Sequence, residues 1–222
     1  MIILYLLAFL LLRHLKRIFA SKIKHNSNSL LLIAHPDDET MFFTPTLCNL
    51  KNNLTILCLS EGNYYGKGKI RKKELIELTD YLSHTLSELK IQTIILDLPD
   101  NEDWNISHVY SLLNKYHKIY KFNTIYTFDK NGVSNHKNHV FCSEVTEIFC
   151  KKNPYVKGKY LISNNIFYKY FINLNILRNG FALPYNFYFL PFKMMAFHKS
   201  QLIWFRYFYI LFSNYTLYNE YS

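Results

Sequence analysis

The sequence predicts an α/β fold with a mostly parallel sheet, preceded by an N-terminal hydrophobic anchor. After residue 30, short apolar runs alternate with segments of helical periodicity, which is typical of alternating strands and helices. Clusters of polar residues directly follow these runs, at the sheet edge where α/β proteins bind ligands. A length of 222 residues suits one large domain with a sheet covered on both faces. The expected architecture is a Rossmann-like, three-layer fold.

The chain begins with a segment, 1–20, that we predict to be a single membrane anchor. Met1 to Leu12 is uninterrupted apolar sequence, and basic residues cluster between Arg13 and His25. Positive charge after the apolar run argues against a cleavable signal peptide and places the rest of the chain in the cytosol. Twelve helical residues reach about 18 Å, short of a bilayer core of about 30 Å, so an in-plane amphipathic segment is the alternative. A basic linker is expected over 21–29.

The periodicity predicts seven elements in the first part of the domain. Strands are expected over 30–34, 54–59, 91–98 and 123–128, and helices over 44–52, 69–89 and 136–151. The longest helix has leucines at three- and four-residue spacing from Leu75 to Leu89, which marks one apolar face. Past Lys152 the pattern is too weak to place strands.

Near the carboxyl end, the helical spacing of four apolar residues predicts one more helix. These residues are Leu202, Phe205, Tyr209 and Phe212. Packing against the core is the favoured role of this helix. A position at a membrane interface is the alternative, because Trp and Tyr are enriched there.

The composition indicates an anionic partner. A formal net charge of +10 and 18% aromatic residues suit either nucleic acid or a membrane surface. Because the sequence has no RNA-binding aromatic signature and no zinc-finger spacing, a membrane is favoured and nucleic acid is not expected. The four cysteines show no CxxC spacing, which predicts reduced thiols in a cytosol-facing domain.

The first candidate site is segment 35–39, HPDDE, which directly follows the apolar run 30–34. It places an imidazole and three carboxylates at the predicted carboxyl end of a buried strand. Like charges this close need a cation or protons to relieve their repulsion, and His with carboxylate is a donor set that suits zinc. A merely acidic surface turn is the alternative interpretation.

The second candidate is segment 128–139, FDKNGVSNHKNH, in which His136 and His139 begin a predicted helix. At three-residue spacing both rings can face one side of that helix. A lone HxxH is a weak signal, but Asp129 and both histidines follow a strand on the same sheet edge as His35. Convergence into one site is therefore predicted, with capping and core histidines as the alternative.

Two further loops follow predicted strands on that edge. Segment 60–71 holds three of the six glycines together with Lys67, Lys69 and Arg71 near a helix start. Backbone N–H groups in such a loop favour an anionic ligand, and a flexible turn is the alternative. Segment 100–104, DNEDW, is either a second layer behind the site or a solvated acidic loop.

Together these motifs resemble one known family. Segments AHPDDE, MFFTPT, SEGN, 66–75, 128–139 and HKSQ occur in family order. From about residue 30 to the carboxyl terminus the chain is similar to the N-acetylglucosaminylphosphatidylinositol de-N-acetylase family, the membrane-bound branch of the LmbE-like zinc deacetylases. Ser134 and Asn138 stand where soluble bacterial relatives usually have Tyr and Asp, which favours the eukaryotic lipid-substrate branch. Asn135 departs from the pattern, since the family generally has Gly there.

The resemblance implies a metal centre and two catalytic residues. His35, Asp38 and His139 would hold Zn²⁺, or another divalent metal, with water in an open position, which is the ligand count of catalytic zinc. Asp37 would be the general base. His136 would stabilise the oxyanion or protonate the leaving amine.

The resemblance also implies supporting residues. Arg71 would hold substrate hydroxyls or phosphate through its planar guanidinium, and Asn63 would be a second substrate-binding residue. Asp129 is expected behind the metal ligands, where it would orient one histidine. His198 and Gln201 match a family motif without an assigned role.

The implied function is hydrolysis of the N-acetyl group from N-acetylglucosaminylphosphatidylinositol, an early step of glycosylphosphatidylinositol anchor synthesis. The expected setting is the endoplasmic reticulum membrane, with residues 30–222 as a deacetylase domain on the cytosolic side. No protein partner is identified from the sequence. Two alternatives are a deacetylase of a soluble N-acetylglucosamine conjugate and a non-catalytic membrane-surface binding subunit with the same fold. The leader and the basic composition count against the first, and the intact site residues against the second.

Overall fold

A computed structural model describes residues 25–100, 102–170 and 180–222 of the chain. The predicted anchor at 1–20 and the start of the predicted linker at 21–29 lie outside these ranges. The described part of that linker already contributes to the sheet, because a short strand β1 (His25–Asn26) pairs with a neighbouring strand. Among the helices described, none is long and apolar enough to cross a membrane.

The central sheet contains six parallel strands within the described residues. After β1 they are β2 (Ser29–Ile33), β3 (Leu50–Cys58), β4 (Leu89–Ile95), β5 (Thr124–Phe128) and β6 (Lys157–Leu161). Their order is β4-β3-β2-β5-β6, with β1 beside β3. The chain adds β3 and β4 on one side of β2 and then β5 and β6 on the other. This reversal creates a crevice at the carboxyl ends of β2 and β5, and it confirms the predicted parallel α/β sheet.

Helices connect these strands and cover the sheet. In chain order they are α1 (Asp38–Phe42), α2 (Thr44–Asn49), α3 (Gly68–Thr85), α4 (Ile106–Tyr120), α5 (Gly132–Asn135) and α6 (Lys137–Lys152). The core is centred on β2, whose residues are all buried, as expected for a strand covered on both faces. Helix α4 is not predicted from the sequence, because its buried residues Val109 and Leu113 are surrounded by Tyr, His and Asn.

Some predicted boundaries are wrong by several residues. Helix α2 ends at Asn49, not at residue 52, because β3 already begins at Leu50. The first half of β3 is largely exposed and polar, and it is held as a strand by its pairing with β1 and β4. Pairing of this kind leaves no periodic signal in the sequence.

After β6 the chain returns to the edge of the sheet that carries the predicted motifs. This part contains α7 (Ile166–Tyr170), β7 (Gly180–Ala182), α8 (Leu190–Phe197), α9 (Trp204–Phe212) and β8 (Tyr218–Glu220). Strands β7 and β8 pair antiparallel. The predicted core packing of α9 is right for Tyr209, which is buried, and wrong for Phe205, which is 48% exposed.

A buried asparagine in β8 fixes the two helices that follow the first motif. The Asn219 carboxamide oxygen accepts hydrogen bonds from the Thr46 backbone N–H (3.1 Å) and hydroxyl (2.6 Å). Its nitrogen donates to the carbonyls of Phe42 (2.6 Å) and Tyr215 (3.0 Å). The carboxyl-terminal strand is therefore tied directly to α1 and α2. The four cysteines, all within the described residues, are free thiols.

Candidate active site

The centre of the candidate site is a cluster of three histidines. One ring nitrogen from each of His35, His136 and His139 lies within 4.8 Å of the other two. His35 follows β2, whereas His136 and His139 follow β5, so the cluster lies at the crevice where the strand order reverses. The structure therefore brings the two predicted motifs together.

The Asp38 carboxylate joins this cluster. Its Oδ1 atom lies 3.2 Å from His139 Nε2, and its Oδ2 atom accepts hydrogen bonds from the backbone N–H groups of Ala34 and His35. Burial alone would raise the pKa of Asp38, but the His139 and His35 imidazoles and the backbone hydrogen bond hold it well below its usual range. Asp38 is therefore an anionic oxygen donor next to two imidazoles.

His139 is oriented by a carbonyl group and an aromatic ring. Its Nδ1 atom lies 3.1 Å from the Gly132 carbonyl oxygen, so Nδ1–H donates and Nε2 faces Asp38. The ring stacks on Phe128, with centroids 3.9 Å apart and an interplanar angle of 2°. Gly132 has a φ of 53°, and a Cβ atom there would lie 2.9 Å from His139 Cβ, so this contact requires glycine.

The prediction that Asp129 orients a histidine is wrong. Its carboxylate accepts hydrogen bonds from the backbone N–H groups of Asn131 (3.0 Å) and Ser163 (2.7 Å), and from the Ser163 hydroxyl. Asp129 therefore joins the loops that follow β5 and β6. The histidine His139 is oriented by the carbonyl of Gly132 instead.

His136 is neutral and has a nitrogen available. Burial and the imidazoles of His139 and His35 lower the pKa of His136 to about 4. Its Nδ1 atom is buried and has no hydrogen-bond partner among the described residues. The preceding Asn135 has a φ of 55°, which explains the family's usual glycine there, and Asn is one of the few other residues that adopt this region.

Asp100 lies behind His35. Its Oδ1 atom is 2.8 Å from His35 Nε2, which supports the second-layer interpretation of the acidic loop after β4. Burial alone would lower the pKa of His35, but Asp100, Asp38 and Asp37 more than offset it, and the pKa lies above its ordinary value. The buried Trp104 ring, 6.5 Å from the His35 ring, closes this side of the site.

The donor set fits a divalent metal ion. The predicted ligands His35, Asp38 and His139 lie together, and His136 adds a fourth group within reach. Neutral imidazole and ionised carboxylate are the forms that bind metal, and the unpartnered Nδ1 of His136 is a further donor.

Asp37 lies beside the cluster and contacts two arginines. It is buried and has a φ of 110°, a strained value for a non-glycine residue. Arg71 Nη2 lies 3.3 Å from Oδ1, and Arg206 Nη2 lies 2.9 Å from Oδ2. Arg206 comes from α9 and is not singled out by the sequence. The one signal is its position as the sole cation in an aromatic segment.

The two predicted substrate-binding residues make internal contacts. Arg71 donates to the carbonyls of Gly62 (3.0 Å) and Pro36 (2.7 Å), so it joins the first motif to the loop after β3. Asn63 accepts a hydrogen bond from the Gly68 backbone N–H at 2.8 Å, and its side chain is exposed. These contacts give both residues a positioning role, and their contact with substrate stays a prediction.

A buried ion pair supports the backbone at Asp37. His198 Nε2 lies 2.6 Å from Glu39 Oε1, and both side chains are fully buried. Glu39 Oε2 accepts a hydrogen bond from the Asp37 backbone N–H at 3.1 Å. Two residues further along, the Ser200 backbone N–H and hydroxyl donate to Glu74 in α3. The HKSQ motif therefore anchors the carboxyl-terminal part to the site.

The fold and the site define a class: Rossmann-like α/β proteins with a histidine and carboxylate centre at the reversal of strand order. The chain belongs to the PIG-L family, described as GlcNAc-PI de-N-acetylase, which matches residues 30–150. This confirms the predicted family.

Curated relatives and solved structures agree with this assignment. The N-acetylglucosaminyl-phosphatidylinositol de-N-acetylase of Bos taurus is 36% identical over 87% of this chain and 82% of its own length. The Saccharomyces cerevisiae protein of the same name is 35% identical over 86% and 80%. The N,N'-diacetylchitobiose deacetylase from Pyrococcus horikoshii has the same fold, with a TM-score of 0.64 and 16% identity over 96% of this chain and 89% of that one.

We expect His198→Ala to lower the free energy of unfolding by about 3–5 kcal/mol, because the Glu39 carboxylate is left buried without its partner. Burial alone would lower the pKa of His198, but Glu39 raises it; burial alone would raise the pKa of Glu39, but His198 lowers it. The contribution of this pair to the free energy of unfolding is therefore complete between pH 4.5 and pH 6.5, which are the ordinary pKa values of Glu and His. It is lost as the pH falls through the folded pKa of Glu39 or rises through that of His198.

Chemical denaturation across this pH range measures the effect. The double variant Glu39→Gln, His198→Ala is the matched control, since it removes the buried charge and should recover part of the loss. A loss below about 1 kcal/mol in the single variant would show that the pair is not a buried support of the site.

Proposed function

We propose that this chain hydrolyses the N-acetyl group of N-acetylglucosaminylphosphatidylinositol, in a metal-dependent reaction of glycosylphosphatidylinositol anchor biosynthesis. The observation that carries the proposal is the convergence of His35, Asp38 and His139 beside the carboxylate of Asp37, whose backbone is strained. Membership of the PIG-L family, and relatives named for this reaction, support the choice of substrate.

His35, Asp38 and His139 would hold Zn²⁺ or another divalent metal. Bound there, the ion would polarise the acetamide carbonyl and lower the pKa of water toward about 7. Asp100 behind His35 and the Gly132 carbonyl behind His139 orient these two ligands.

Asp37 is the general base. Its Oδ2 atom is buried beside Arg206 but has no hydrogen-bond partner among the described residues, so a lone pair is available for a proton. Asp37 accepts the proton of the attacking water as the new C–O bond forms at the acetyl carbon. It then returns this proton to the leaving nitrogen as the C–N bond breaks, which yields acetate and the free amine.

His136 stabilises the oxyanion. With a pKa of about 4 it is neutral at pH 7, so it does not carry a proton for the leaving amine. A neutral imidazole still donates one N–H hydrogen bond to the oxygen on which negative charge develops. Of the two roles expected from the sequence, the pKa of His136 favours this one.

Acetate release from N-acetylglucosaminylphosphatidylinositol tests the proposal. The full-length protein should lose activity after chelation and regain it with zinc. Asp37→Asn should keep its metal but lose about 10²- to 10⁴-fold in rate, because the amide cannot accept the proton. The matched control is Asp80→Asn, on the surface of α3, which should leave the rate unchanged.

The same assay decides between the alternatives. Equal rates on a soluble N-acetylglucosamine conjugate would replace the glycolipid as the substrate. No release of acetate by folded, zinc-loaded protein would overturn the enzymatic proposal in favour of a binding subunit.

The variant His136→Gln tests whether His136 is a metal ligand or a catalytic residue. We expect this variant to retain about one metal ion per chain and to lose at least about 100-fold in rate, because the proposed ligands are intact and the oxyanion donor is altered. Metal analysis after zinc loading measures the first quantity, with His139→Gln as the control that should lose metal. Loss of metal from His136→Gln would make His136 a ligand instead.

The proposed location is the endoplasmic reticulum membrane, with a single N-terminal anchor and the domain in the cytosol. Three Asn-x-Ser/Thr sequons, at Asn53, Asn105 and Asn214, test this orientation. Asn53 and Asn105 are exposed, so both would be accessible to glycosylation in the lumen, whereas Asn214 is buried and uninformative. We expect no glycosidase-sensitive mass shift in protein from eukaryotic cells, and a shift at Asn53 or Asn105 would reverse the topology.

A further inference from the structure

Helix α9 exposes an aromatic surface on one side. Four aromatic side chains of this nine-residue helix are exposed to solvent: Trp204 (73% exposed), Phe205 (48%), Tyr207 (53%) and Phe208 (56%). We call these four residues the aromatic face. Trp204, Tyr207 and Phe208 have the i, i+3, i+4 spacing of one side of a helix, whereas Tyr209 and Ile210 are buried against the domain. Exposed apolar surface of this kind marks an interaction site.

A second helix, α7, contacts α9. Its Tyr170 ring lies 6.4 Å from the Tyr209 ring, and Lys169 Nζ lies 5.2 Å from the same ring, so α7 packs against α9. Ile166 on α7 is 70% exposed. Helix α7, which also exposes an apolar side chain, therefore lies beside α9.

The aromatic face lies close to the active site. Arg206, between Phe205 and Tyr207 on the same helix, reaches Asp37 with its Nη2 atom at 2.9 Å. Because a helix with its side chains is about 10–12 Å across, whatever covers the aromatic face lies about one helix diameter from the general base.

The charge of the carboxyl-terminal region indicates which kind of partner covers the aromatic face. No Asp or Glu occurs between Glu147 and Glu220, whereas this stretch contains nine Lys and Arg residues. Such a region is attracted to anionic phospholipid headgroups. A second copy of the chain would carry the same excess of positive charge in this region, which disfavours a symmetric dimer through this face.

We propose that the aromatic face inserts into the interfacial layer of a bilayer that contains anionic phospholipids. Trp and Tyr suit this layer because their rings are apolar at one end and polar at the other. Docking in this way would hold Asp37, through Arg206 on the same helix, about one helix diameter from the lipid headgroups. The docking follows from the exposed side chains and the charge, and its benefit to catalysis rests on the proposed function.

The chain's two tryptophans provide the test. Trp104→Phe leaves the exposed Trp204 as the only tryptophan, and Trp204→Phe leaves the buried Trp104. Both full-length variants are reconstituted into phosphatidylcholine and phosphatidylserine vesicles, with and without bromine on the upper acyl chain. These vesicles contain no substrate, so the result is independent of deacetylase activity.

We expect brominated lipid to quench at least about half of the Trp204 emission, because an interfacial indole contacts the upper acyl chain. Emission from Trp104 should be unchanged. In the Trp104→Phe background, Phe208→Ser should reduce the quenching, whereas Ile119→Ser, at an exposed apolar position on α4, should not.

Two outcomes would overturn the proposal. Trp204 could be quenched by aqueous iodide and not by brominated lipid, which would show that the aromatic face is in water. Protection of Trp204 from both quenchers would show that protein covers the face, either a second copy or another segment of the chain.

Discussion

The structure depends on the burial of three consecutive acidic side chains at the end of a central strand. Asp37, Asp38 and Glu39 are each less than 5% exposed, so each carboxylate must find a partner within the protein. Those partners come from four other parts of the chain. Asp38 contacts His139, Glu39 contacts His198, and Asp37 contacts Arg71 and Arg206.

This requirement explains why the domain extends well beyond residue 150. The family match ends there, yet His198 and Arg206 come from the part that follows. Asn219, further along the chain, forms hydrogen bonds with backbone groups of α1 and α2, the two helices that follow β2 and the first motif. The segment after β6 is therefore needed to compensate buried charge and buried backbone groups, and it covers the site as a consequence.

Helix α9 contacts the candidate site on one side and forms part of the protein surface on the other. One side chain of this helix, Arg206, pairs with Asp37, the proposed general base, while its neighbours Phe205 and Tyr207 face outward. Arg206 therefore connects α9 to the carboxylate that accepts the proton in the proposed reaction. The buried Glu39–His198 pair holds the Asp37 backbone through contacts that do not involve Arg206.

The parallel α/β fold and the position of the candidate site can be predicted from the sequence alone, because strands, helices and the polar residues that follow them are local patterns. His35, Asp38, His136 and His139 are identified in this way. Which side chains compensate the buried charges is visible only in the tertiary structure. Asp100, His198 and Arg206 gain their roles from contacts between distant segments, and 159 residues separate Glu39 from His198. The tertiary structure also decided that the Gly132 carbonyl orients His139, whereas Asp129 does not, and that α9 exposes its aromatic residues. Local periodicity carries no information about which loops meet across a sheet edge, and that is the physical reason for this division.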